Sequence, residues 1–108
     1  MRVRVEGQRL VTKEVLGRLK RTIRRLKTSC PLRRDMLVSI EHMPGLHGQA
    51  WVTADGVALV RLDASKCRYC VADTLSHEWA HLMVPKATHG PAWGLAYSRC
   101  YRACQATT

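Results

Sequence analysis

Apolar positions divide the chain before any other signal is read. Leu16, Leu19, Ile23 and Leu26 recur every three or four residues, the period of a helix with one apolar face. The spacing predicts a helix over 12–27, with Thr12 as N-cap and Pro31 closing the unit. A short strand is expected at Val3 to Val5, and MLVSIEHM, 36–43, alternates in the manner of another. QAWVTADGVALVRLDA, 49–64, reads as two strands around Asp55-Gly56, a strong hairpin signal. Ser65 to Tyr69 is read as a connector. The next helix is expected over 71–83, ending before Pro85, whose ring disfavours helical backbone in the preceding residue. A last helix is expected from Pro91, a favoured first-turn residue, to Cys104. The order predicts an α+β fold: an N-terminal helix, a small, mostly antiparallel sheet of three to four strands, and two C-terminal helices.

No repeat, low-complexity tract or linker interrupts this order, and 108 residues suit a single domain spanning 1–108. Hydrophobic residues make up 46 % and charged residues 24 %, an ordinary globular balance that predicts a soluble, folded chain. No segment approaches the roughly 20 apolar residues of a membrane span. The first residues, MRVRVEGQRL, lack the apolar run of a signal peptide, so a cytoplasmic or nucleoid-associated location is expected.

Charge changes the picture more than composition does. Eighteen Lys and Arg against eight Asp and Glu give a formal net charge of +10, a field that favours polyanions. The first helix carries Arg18, Lys20, Arg21, Arg24, Arg25 and Lys27, so its outer side is basic. Two readings stand side by side: a solvated face that keeps the chain dispersed, and a sequence-independent contact with nucleic-acid phosphates. A membrane-surface helix fits less well, because the apolar stripe is the natural core side and has no aromatic anchor.

Chemistry concentrates in HEWAHLMVPKATHGPAW, 77–93. Residues four apart on a helix lie about 40° apart in angle and about 6 Å apart along the axis, so His77 and His81 can address one point. Glu78 follows the first histidine, where a carboxylate can take a proton from a water on a metal. Leu75, Trp79, Leu82 and Met83 give this helix apolar flanks around its polar patch. Catalytic zinc usually has three protein ligands and one open position. His89, beyond the Pro85 break and beside Gly90, is the candidate third ligand. His42, His47, Asp63, Asp73 and the cysteines compete for that role; His42 and His47 flank Pro44-Gly45 and are read as exposed loop residues.

HEWAH followed after a short loop by HGPAW is similar to the SprT-like metallopeptidases, the zincin family that includes the Spartan DNA-protein crosslink proteases. The resemblance covers roughly 70–95 in motif and, loosely, most of the chain in element order. It implies a zincin-like fold, zinc held by His77, His81 and His89, Glu78 as general base and Trp93 in the aromatic position after His-Gly. It also implies a protein or peptide substrate pairing with an edge strand, which the 49–62 hairpin would supply. Tyr97 and Tyr101, on the last helix, are candidates to approach the site. Against typical members the chain is short, and no separate C-terminal module for DNA or partners is expected.

Five cysteines leave three alternatives open. Cys67 and Cys70 form a CxxC pair, and Cys100 and Cys104 stand one helical turn apart; together they could hold a second, structural zinc. Reduced buried thiols and disulfides are the other two. Cys30 is the odd one. The function classes in contention are a zinc metallopeptidase acting on proteins, including nucleic-acid-bound ones; a basic nucleic-acid-binding module whose zinc is structural; and a zinc hydrolase of another substrate class.

Overall fold

The computed structural model describes residues 1–84 and 89–105, apart from the side chains of Lys66, Arg68 and Tyr69. Strand β1 (Val3–Glu6) leads through a short 3-10 turn, Gln8–Leu10, to helix α1 (Lys13–Ser29). Thr12 caps α1 as its position predicts, its hydroxyl accepting the Val15 N–H at 3.1 Å. Strands β2 (Met36–Glu41), β3 (Gly48–Val52) and β4 (Ala58–Asp63) follow, then helices α2 (Ala64–Met83) and α3 (Pro91–Gln105). The chain is α+β, with three α-helices and a four-stranded mixed sheet among the described residues.

The sheet order is β1-β2-β4-β3, and here the expected antiparallel character fails. β1 runs parallel to β2, and β2 parallel to β4; only β3 and β4 are antiparallel. Two placements cause this. β1 precedes α1, so β1-α1-β2 is a crossover, which joins parallel strands. The 49–64 hairpin forms as predicted, with Gly56 in the left-handed region at φ 82°, but its second strand pairs with β2 and its first is pushed to the sheet edge. Gly7 (φ 76°) turns the chain out of β1 so close to β2 that a Cβ there would sit 2.1 Å from the Ile40 carbonyl oxygen.

The core lies between one face of the sheet and the helices. Met36, Val38 and Ile40 alternate inward on β2, as do Ala58, Val60 and Leu62 on β4. Leu19, Ile23 and Leu26 of α1 meet them, as do Leu75 and Trp79 of α2. Trp79 is fully buried, and its indole N–H donates to the Cys30 carbonyl at 2.8 Å, tying α2 to the end of α1. The stretch 65–69, expected as a connector, is helical. It is nevertheless set apart from the rest of α2 by Cys70, whose backbone (φ −140°, ψ 34°) is not helical.

Candidate metal centre

Trp79 fixes the orientation of α2. With Leu75, Trp79 and Leu82 turned into the core, His77 and His81 emerge together at its margin. Their Nε2 atoms lie 3.2 Å apart. His89, exposed just before α3, places its Nε2 3.0 Å from that of His81. All three side chains offer a nitrogen within 4.8 Å of the others, close enough to bind one metal ion, and no other group of three or more His, Cys, Asp or Glu among the described residues does so. The path between His81 and His89 crosses 85–88, so the expected chain reversal lies outside the described residues.

The donor set suits a zinc-sized ion. Nitrogens about 2.0–2.1 Å from a tetrahedral centre are separated by about 3.4 Å, which is close to the two nitrogen spacings. Burial, and then the neighbouring imidazoles, lower the pKa of His77 and His81 from 6.5; neutral rings with available lone pairs are what a metal requires.

Glu78 is buried beside this cluster, its Oε2 4.0 Å from His77 Nε2. Burial raises its pKa from 4.5 to about 7. A cleft of about 560 Å³ exposes the histidines and Glu78 to the backbone of β3, from Gly48 to Val52. One residue there, Gly48, was not recognised from sequence. A Cβ at Gly48 would lie 3.2 Å from Glu78 Cγ, so glycine lets the strand approach the carboxylate. His47 is exposed as expected, yet it borders a smaller cleft of about 310 Å³ that also reaches His77 and Glu78.

Trp93 closes another side. Its ring centre lies 4.3 Å from that of His89 and 4.9 Å from that of His77, and its buried Nε1 has no hydrogen-bond partner. Tyr97 stacks beneath it at 5.1 Å, and the Tyr97 hydroxyl donates to the Asp73 carboxylate. Asp73 therefore braces α3 against α2. Asp63, another competitor for the third-ligand position, instead accepts the Met43 N–H at 2.9 Å and the Ser65 hydroxyl. His42 is exposed in its loop.

The four cysteines considered for a second zinc do not gather. α3 runs back along α2 from Met83, which Cys100 touches at 3.5 Å, and at Cys104 it has come only as far as Ser76, at 3.3 Å. Cys67 and Cys100 are instead buried in the core, and no cysteine is in a disulfide. The basic residues of α1 resolve into two rows. Arg18, Arg21 and Arg25 face a cleft shared with α2 and α3, while Lys20, Arg24 and Lys27 border a smaller groove beside Val3 of β1.

The fold and site define an α+β domain with a three-histidine cluster competent to bind a metal. No protein-family model matches the chain, and no curated protein or solved structure matches it. No described helix is long and apolar enough to cross a membrane.

Proposed function

We propose that the chain is a zinc-dependent metallopeptidase that hydrolyses peptide bonds, including those of proteins held on nucleic acid. The observation that carries this reading is the convergence of three histidine nitrogens beside a buried carboxylate in a cleft walled by an edge strand. His77, His81 and His89 would hold the ion, and three protein ligands leave a position open. When bound, zinc supplies Lewis acidity, which makes a water nucleophilic near neutral pH and polarises a carbonyl.

The chain's own residues supply the remainder. Among the described residues β3 pairs only with β4, so its outer edge offers backbone N–H and C=O groups to an extended peptide lying beside the histidines. Glu78 accepts the proton of the attacking water and returns it to the leaving amine. Burial raises the proton affinity of this carboxyl, which suits it to both transfers. Trp93 keeps solvent from one side of the ligands. The similarity of 77–93 to the SprT-like motif supports the same assignment of roles. A purely structural zinc is less well supported, because closed structural sites use four ligands and the described residues provide a group of three.

Glu78→Gln tests the reading, since it keeps the side-chain shape and removes the base. The variant is expected to bind zinc as the wild type does and to lose hydrolysis of an unfolded protein substrate by about 10²–10⁴-fold. Cleavage at the wild-type rate would contradict the role of Glu78.

A further inference from the structure

Between α1 and the α2–α3 pair lies a cleft of about 510 Å³ that the metal centre does not use. Its volume falls in the range of small-molecule sites, roughly 300–1,000 Å³. Arg18, Arg21 and Arg25 line it from one face of α1, with Arg18 already paired to Glu14 at 3.3 Å. Arg25 gives one N–H to the Cys104 carbonyl at 2.8 Å, which ties the guanidinium across to α3 and leaves its other donors. Arg21 is exposed and makes no hydrogen bond or ion pair with another described residue. The only carboxylate among the lining residues is Asp73, which already accepts the Tyr97 hydroxyl.

Arg21, with the remaining donors of Arg25 beside it, gives this face of the cleft a site for an anion. The planar guanidinium fork matches phosphate oxygens in particular. Tyr101 adds a second kind of contact: it lines the same cleft from α3, and 44 % of it is exposed, which presents ring surface to a flat partner. A phosphate-binding row beside an available aromatic ring has the chemistry of nucleotide recognition.

We propose that this cleft binds a nucleotide unit, with its phosphate on Arg21 and Arg25 and its base on Tyr101. A free mononucleotide and one residue of a single strand present the same two groups, and competition separates them. The inference is independent of the metallopeptidase reading, because it concerns binding at residues outside the histidine cleft.

The test uses the full chain and a fluorescently labelled oligothymidylate of about ten nucleotides at low salt, where phosphate contacts are strongest, read by anisotropy. Arg21→Ala and Tyr101→Ala are each expected to weaken binding at least about fivefold, Tyr101→Phe to retain it, and Lys27→Ala, in the other basic row, to change it less than about twofold. Arg21 and Tyr101 are both exposed, so neither substitution opens the core. Displacement of the strand by thymidine monophosphate assigns the site to free nucleotides, and displacement by unlabelled strand alone assigns it to single strands; either supports the proposal. Equal losses in Arg21→Ala and Lys27→Ala with no effect of Tyr101→Ala would overturn it, as would inorganic phosphate displacing the strand at the same concentration as the mononucleotide.

Discussion

At Gly48 the sheet and α2 meet at the limit of van der Waals contact. An added Cβ would lie 3.0 Å from the Arg61 carbonyl oxygen and 3.2 Å from both Glu78 Cγ and Thr74 Cγ2. Gly48→Ala must therefore shift β3 or Glu78 by a few tenths of an ångström. We expect a stability loss of about 1–3 kcal/mol, typical of overpacking, together with a larger fractional fall in peptide hydrolysis than in zinc affinity. Equal hydrolysis in the two proteins would show that the approach of β3 to Glu78 is irrelevant to the reaction. The thiols offer a separate check on burial. Burial, assisted by Asp63 and Cys70, raises Cys67 from 9.0 to about 11, and burial also raises Cys104. An acid whose folded pKa is raised is stabilised in its protonated form, so this contribution is complete below the unfolded value of about 8.5 and erodes as pH climbs through the folded one. Alkylation of Cys67 in the native protein at pH 8 should consequently be far slower than in denaturant, as read by peptide mass mapping. Equal rates would contradict its burial.

The elements differ in how far the sequence disclosed them. α1 was legible to within two residues, because its apolar period, its Thr12 cap and Pro31 all act locally. The histidine pair was legible for the same reason, since i and i+4 share a face on any helix. The helical stretch 65–69 was not: SKCRY has no apolar period, and the break at Cys70 separates it from the amphipathic segment that follows. Nor could sequence pair Asp73 with Tyr97, 24 positions away on another helix. That hydrogen bond joins α2 to the helix carrying Trp93. Tyr97→Phe keeps the stack and removes the bond, at an expected cost of about 1 kcal/mol, and it should weaken zinc binding by loosening the Trp93 side of the site. Unchanged zinc affinity in a variant of reduced stability would confine the bond to a structural role.

For the whole molecule, strand direction was the feature most poorly read. Grouped strands and one clear hairpin suggested a mostly antiparallel sheet, yet two of the three pairings are parallel, because β1 crosses over through α1 and β4 inserts beside β2. Such pairings are decided by contacts distant in sequence, which alternation along one strand does not encode. The result bears directly on the site: insertion of β4 leaves β3 at the edge, where its backbone faces the histidine cleft. Charge is likewise organised at this scale. The basic residues of α1 are not spread evenly over it but divided between a cleft and a groove.

The central claim is that His89 completes a single three-histidine metal site. Zinc per chain, measured by elemental analysis on folded wild type and on folded His89→Ala after removal of loosely bound ions, tests it most directly. The account predicts about one equivalent in the wild type and clearly less in the variant, with no second equivalent on the cysteines. The same zinc content in both proteins would contradict it.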